Sequence, residues 1–109
     1  MYLNKVNGAS PLRYTYLMLF TYIYVLKSTK HDFVYVGITH DLKRRFHEHQ
    51  TGKNVSTKPY SPYLLIHYEA YKCEKDAKRR ENYFKTTKGR VTLRQMLKEY
   101  FISSKILNQ

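Results

Sequence analysis

Three groups of residues in this chain have the types and spacing to act on a phosphate ester. The first is a lone carboxylate. Cys73, Ala77 and Phe84 mark an apolar stripe at helical spacing, and Glu81 falls on that stripe between Ala77 and Phe84. A carboxylate facing a core costs several kcal/mol unless it is paired or holds a metal ion. An ion pair with Arg80, Arg45 or a lysine and a metal-ligand role are both open at this point. The second group is Arg45 with His49. They share a helical face with Leu42 and Phe46. Arginine there suits bidentate contact with a phosphate, or its stem simply covers the stripe. His49 alone reads as a hydrogen-bonded interfacial histidine. The third group is the pair of phenols at Tyr24 and Tyr35, with Gly37 beside the second. A glycine inside a strand removes bulk and admits a substrate or another backbone.

The elements that must position these groups follow from periodicity. Residues 20–27 (FTYIYVLK) and 33–38 (FVYVGI) are rich in β-branched and aromatic types and read as two strands joined by a hairpin loop, 28–32. Alternation puts Tyr22, Tyr24 and Leu26 on one face of the first strand. It puts Phe33, Tyr35 and Gly37 on one face of the second, opposite to Val34, Val36 and Ile38. The hairpin can therefore bring Tyr24 and Tyr35 to one surface, in a register that alternation alone does not fix.

A helix is expected from Asp41 to about Gln50, capped by Asp41 or Thr39 and stopped at Gly52. Lys43, Arg44, His47 and Glu48 would point away from its apolar face. A polar loop follows over 53–62, then a third strand over 63–70 and a helix over 74–86. Lys88-Gly89-Arg90 is expected to break that helix. A last helix over 91–102 carries Leu93, Met96, Leu97, Tyr100 and Phe101 as its stripe. The order β-β-α-β-α-α makes a small α/β fold, a three-stranded sheet with helices packed on it.

Residues 1–19 show no clear period and read as an irregular extension. Met18, just ahead of the first strand, is a candidate start. Residues 20–102 form the expected domain, and 103–109 a frayed tail.

Composition narrows the partners. Twenty Lys+Arg against eight Asp+Glu give a formal net charge of +12, which favours a polyanion, nucleic acid before an anionic membrane surface. Residues 72–98 hold ten of those cations against three acids. Within the basic set, Lys58, Lys85, Lys88, Arg90 and Arg94 are placed to contact backbone phosphates, which position a duplex without reading its sequence. Tyr occurs 12 times and Trp never, and most of these phenols are packing residues. The single cysteine, Cys73, cannot form an internal disulfide or a zinc site. It is expected to be small and buried, in a reducing, cytoplasmic setting. The apolar run from Tyr14 to Leu26 is too short and too tyrosine-rich to span a membrane.

Together these residues resemble the GIY-YIG nuclease family, in the short single-domain subgroup. Tyr22-Ile23-Tyr24 stands for the first motif and Tyr35-Val36-Gly37, eleven residues on, for the second. The helix from Asp41 to His49 resembles the family's arginine helix. Arg79-Arg80-Glu81-Asn82-Tyr83-Phe84-Lys85 resembles its metal-carboxylate helix. Ser56-Thr57-Lys58 and Lys88-Gly89-Arg90 also occur in the subgroup.

The resemblance implies a three-stranded antiparallel sheet flanked by helices, and DNA phosphodiester hydrolysis with one divalent ion, Mg2+ or Mn2+, and no small-molecule cofactor. It implies Glu81 as the metal ligand, Tyr24 or Tyr35 orienting or deprotonating the attacking water, Arg45 on the scissile phosphate and His49 beside it. Two positions depart from the pattern. Tyr22 stands in place of glycine, and Ile38 stands where several members carry a lysine that helps the tyrosine, which leaves His40 or His49 to assist. A nucleic-acid binding module that kept the fold without turnover is the alternative. One site cuts one strand, so a double-strand break requires two chains or two visits.

Overall fold

The computed structural model describes residues 19–107, with side chains as far as Lys105. The expectations for Met18 and the residues before it lie outside the described residues, as do positions 108 and 109. Strands β1 (Thr21–Ser28) and β2 (Val34–Thr39) form the expected antiparallel hairpin. Its register sets Tyr24 opposite Gly37 and Leu26 opposite Tyr35. Strand β3 (Tyr63–Tyr71) pairs antiparallel with the other side of β1, so the sheet order is β2-β1-β3. The pairing slips between Val25 and Leu26, where Val25 faces His67 and Leu26 faces Leu65. Ile66 is the extra residue of a bulge.

The central position of β1 explains its composition. Ile23, Tyr24, Val25 and Leu26 are all buried, because helices cover both of its faces. One face carries Ile23, Val25 and Val36 against Ala77, Phe84 and Leu93. The other carries Tyr24 and Leu26 with Phe33 and Tyr35, packed against Leu42, Phe46 and Tyr63. These are the faces that alternation assigned. Helix α1 (Leu42–Gln50) lies on the phenol face. Of its two candidate caps, Asp41 accepts the Arg44 amide at 3.1 Å, while the Thr39 hydroxyl accepts the Asp41 amide at 3.1 Å one step earlier. Gly52 follows with φ +76°, in the left-handed region that glycine enters without strain.

Helix α2 (Glu74–Phe84) packs on the opposite face through Ala77, Glu81 and Phe84. Cys73 is exposed, contrary to expectation. It precedes the first helical turn and so lies off the stripe that its spacing suggested.

Helices α3 (Thr87–Met96) and α4 (Lys98–Leu107) replace the single last helix. Lys88-Gly89-Arg90 is not the break. The chain turns at Lys85 and Thr86, and the Thr86 hydroxyl caps α3 by accepting the Gly89 amide at 3.0 Å. Gly89 sits in the first turn of α3 for a steric reason: a Cβ there would overlap the Tyr83 carbonyl, so only glycine lets α3 lie this close to the end of α2. A second turn, at Leu97, divides α3 from α4, and Arg94 stacks its guanidinium 4.8 Å from the Phe101 ring across it. Residues 103–107, expected to fray, continue α4. No helix among the described residues is long and apolar enough to cross a membrane.

Gly89→Ala should destabilise the fold by about 1–3 kcal/mol through overpacking at the α2–α3 joint. Urea denaturation should show a lower midpoint with an unchanged slope. An unchanged midpoint would mean that the joint has room to spare.

Candidate active site

The phenol face of the sheet builds the site around one hydroxyl. Tyr24 is 1% exposed, on the central strand, and a buried phenolic oxygen needs partners. It has two from α1. His49 Nε2 lies 2.8 Å away, and Arg45 Nε donates at 3.3 Å. Both reach it because Arg45 and His49 are one helical turn apart on the inward edge of α1. Tyr35 completes the cluster from β2, with ring centroids 6.2 Å from Tyr24 and 5.1 Å from His49. Gly37 serves this arrangement directly. A Cβ on it would overlap the Cζ and hydroxyl of Tyr24, so the space it frees is filled by that ring and not by a substrate or backbone.

The electrostatics follow from burial. Desolvation pushes the Tyr24 phenol up to about 12, against the opposing pull of Arg45. Desolvation first, and the Arg45 charge second, push the His49 imidazole down to about 4. At neutral pH the phenol is protonated and the imidazole neutral.

Arg45 is held from two sides, Nε on Tyr24 and Nη1 on Glu48 Oε1 at 2.9 Å. Its Nη2 carries no hydrogen bond among the described residues, and the side chain is about one third exposed (31%). Glu48, which was expected to point into water, grips Arg44 at 2.7 Å as well and so acts as a clamp. His40, the other candidate assistant, lies away from the phenols, 3.4 Å from the Thr21 hydroxyl and 3.5 Å from Glu74.

Glu81 is 4% exposed and belongs to the opposite, α2 face. Its partners are neither Arg80 nor Arg45. Lys78 donates to Oε1 at 2.9 Å and Lys85 to Oε2 at 3.0 Å. Burial pushes the carboxyl up, but the two ammonium groups outweigh it and hold it below the ordinary carboxylate range. Arg80 instead grips Glu69, whose carboxyl is lowered to about 2: hydrogen bonds from Arg80, His67 and Tyr71 outweigh its burial.

The two faces meet at the edge strand β2. Lys85, at the end of α2, reaches over the Tyr35 ring at 6.0 Å while holding Glu81. Tyr24, Tyr35, Arg45 and His49 therefore form one cluster, and Glu81 joins it through Lys85.

Of the expected phosphate contacts, Lys85 is engaged at this site. Arg94 is engaged with Asp32 and Phe101. Lys58, Lys88 and Arg90 are exposed, with no ion pair among the described residues. Three participants escaped sequence reasoning: Glu48, Lys78 and Thr57, whose hydroxyl lies 2.7 Å from His49 Nδ1. Helical spacing could have found the first two, since Lys78 and Glu81 are three apart and Glu48 lies within a turn of both Arg44 and Arg45. Thr57 lies in the Ser56-Thr57-Lys58 run noted in the sequence, but nothing in that run points to a partner on α1.

A three-stranded antiparallel sheet with a guanidinium and an imidazole on a paired phenol, and a buried carboxylate across the edge strand, defines a small α/β domain that gathers charged groups about one hydroxyl. The comparison with known families agrees: the GIY-YIG catalytic domain matches residues 20–95, and the chain belongs to the GIY-YIG family. That domain is generally a nuclease domain, with DNA as its substrate and a divalent metal as its usual requirement. The chain is 43% identical over 67 residues to a UPF0213 protein of Limosilactobacillus reuteri, covering 59% of this chain and 69% of the relative. It is 32% identical over 89 residues to a UPF0213 protein of Clostridium perfringens, covering 81% and 88%. A solved structure of a UPF0213 protein from Bacillus halodurans is 26% identical, covers 71% of this chain and 84% of its own, and superposes with a TM-score of 0.46.

The depressed His49 value makes a stability prediction. The unfolded ring protonates near its ordinary 6.5 and the folded ring near about 4, so the unfolded state takes up the proton first as pH falls. The contribution is complete above about pH 6.5 and is lost on the way down to about 4. Urea denaturation should show a loss on the order of 2 kcal/mol between pH 7 and pH 4.5. His49→Gln should flatten most of that slope, and an equally steep slope in the variant would place the titrating group elsewhere.

Proposed function

We propose that this chain is a metal-dependent endonuclease that hydrolyses DNA phosphodiester bonds, structure-directed or weakly sequence-specific, in DNA repair, recombination or processing. The observation that carries the reading is the buried Tyr24 hydroxyl held between a guanidinium and a neutral imidazole. A packing tyrosine needs one partner, whereas this one is oriented by two groups, and Arg45 keeps a free donor edge beside it.

A divalent ion fits the carboxylate present. Mg2+ and Mn2+ prefer oxygen donors, and Mg2+ is commonly bound through one or two carboxylates, with waters and substrate phosphates filling the rest of its shell. Glu81 is an anionic oxygen donor whose charge Lys78 and Lys85 neutralise, so an ion would take the place of at least one of these ammonium groups. Bound there, the ion would supply positive charge for the phosphate as negative charge develops.

The chain's own residues do the rest. Arg45 offers Nη2 to a phosphate oxygen while Glu48 and Tyr24 hold its plane. Tyr24 and Tyr35 orient the attacking water, and His49 fixes the Tyr24 hydroxyl. Lys85 carries positive charge at the β2 edge, a role open because Ile38 stands where several relatives have lysine. Lys58, Lys88 and Arg90 contact flanking phosphates.

A second reading, binding without turnover, is favoured by one observation: both oxygens of Glu81 are occupied by lysines.

Labelled linear, nicked, flap and four-way DNA separate the two readings. Wild type should nick at least one of these in Mg2+ or Mn2+ and cease in chelator. Glu81→Gln should lose at least about a hundredfold in rate while binding DNA within about threefold of wild type, since phosphate contacts dominate affinity. Salt-sensitive binding with no cleavage by wild type under any of these conditions would establish the binding module instead.

A further inference from the structure

Thr57 has a role that neither the spacing of residues nor the reading above assigns. It is 0% exposed, although it is polar and lies in the loop between α1 and β3. Its backbone is pinned on both polar groups: the amide donates to the Asn54 carbonyl at 3.2 Å, and the carbonyl accepts the Tyr63 hydroxyl at 2.7 Å. The hydroxyl is thereby aimed at His49 Nδ1, 2.7 Å away. The far nitrogen of the same ring, Nε2, is the one that meets Tyr24 at 2.8 Å. His49 is held neutral by burial, so it carries one ring proton. Whichever nitrogen bears that proton donates, and the other accepts.

Two hydrogen patterns satisfy this chain of contacts. In the first, Nδ1–H donates to the Thr57 oxygen, the Thr57 hydrogen turns to the Asn54 carbonyl at 3.4 Å as a third donor beside the Thr57 and Lys58 amides, and Nε2 accepts from Tyr24. In the second, Thr57 donates to Nδ1, and Nε2–H donates to Tyr24.

The surroundings of Tyr24 favour the first. Arg45 Nε can only donate, and it already occupies one lone pair of the phenol oxygen. A second donor from His49 would use the remaining lone pair. It would also turn the phenol hydrogen to the neighbouring Tyr35 phenol, a weaker acceptor than an imidazole nitrogen.

We infer that Thr57 is a positioning residue: by accepting the Nδ1 proton of His49 it fixes the tautomer in which Nε2 accepts the Tyr24 hydrogen, so that α1 takes only one lone pair of the phenol oxygen and leaves the other to Tyr35 and to substrate water. The inference rests on the endonuclease reading for what that lone pair does, but the tautomer itself is independent of it.

The test uses the full chain, labelled with 15N, and long-range proton–nitrogen correlation of the histidine rings at neutral pH. The His49 signals are those missing from His49→Gln. Wild type should show Nδ1 protonated and Nε2 bare. Thr57→Val, which keeps the shape and removes the hydroxyl, should shift the ring toward the Nε2–H form and lower the nicking kcat by about tenfold to a hundredfold with little change in KM. Thr57→Ser should restore both. A wild-type ring protonated on Nε2 overturns the inference, as does a folded Thr57→Val chain with the wild-type tautomer, or one with the altered tautomer and an unchanged rate. If Thr57→Val fails to fold, Thr57→Ala takes its place with the same expected shift of tautomer, and an unshifted ring in it overturns the inference. The spectra need neither DNA nor metal. A wild type with Nδ1–H that cuts nothing therefore overturns the endonuclease reading and leaves the tautomer assignment standing.

Discussion

The hydrogen bond between Tyr24 and His49 constrains more of this structure than any other contact. It joins the central strand to α1 in a region with almost no water, so every polar atom it buries has to be matched. Gly37 must be a glycine because the Tyr24 ring lies across it. His49 must be neutral because the site is desolvated and Arg45 is adjacent. Thr57 must be buried because the second ring nitrogen needs a partner. Among the described residues, no buried side-chain nitrogen or oxygen lacks a hydrogen bond. Removing any member of the chain therefore strands its neighbour, which costs more than the bond itself contributes.

Acidic residues are scarce in a chain of this charge, and the less exposed ones each organise several cations or donors. Glu48 holds Arg44 and Arg45. Glu81 holds Lys78 and Lys85. Glu69 takes Arg80, His67 and Tyr71. Where the cation stays largely in water, as Arg44 and Lys78 do, such a pair contributes little to stability. Their effect is on direction: Glu48 takes Nη1 of Arg45 and leaves its Nη2 without a hydrogen bond among the described residues, and Glu81 holds Lys85 near the Tyr35 ring. The cations without an ion pair among the described residues, Lys58, Lys88 and Arg90 among them, then dominate the field outside the cluster.

The strands were legible because β1 and β2 alternate cleanly and each face meets a different helix, so a period of two carries real information. The same holds for Arg45 and His49, whose spacing on a short amphipathic helix fixes their side. Glu81 was legible as an anomaly on an apolar stripe, but its partners were not, since several cations lie within reach of that position and sequence cannot rank them. The failures have physical causes as well. Gly89 reads as a helix breaker by propensity, whereas its use is the close approach of two backbones, a tertiary fact. The turn at Leu97 has neither glycine nor proline to announce it. The bulge at Ile66 exists only in the pairing of two strands. Thr57 gains its meaning from a ring eight residues earlier in sequence and across a loop.

Magnitudes decide what Tyr24 does at rest. With the phenol near about 12 and the imidazole near about 4, moving the proton from one to the other in the free protein costs on the order of 10 kcal/mol. A preformed phenolate is therefore negligible, and His49 is not a resting base. What the pair offers is direction: a hydroxyl whose hydrogen is committed and whose oxygen keeps one lone pair that α1 does not take. On the endonuclease reading, that lone pair can hold a water in line with a phosphate without any prior ionisation, and positioning of this kind contributes heavily to phosphoryl-transfer rates. Arg45 offsets only part of the desolvation at the phenol. Further lowering requires positive charge brought to the β2 edge, where Lys85 already sits between Glu81 and Tyr35.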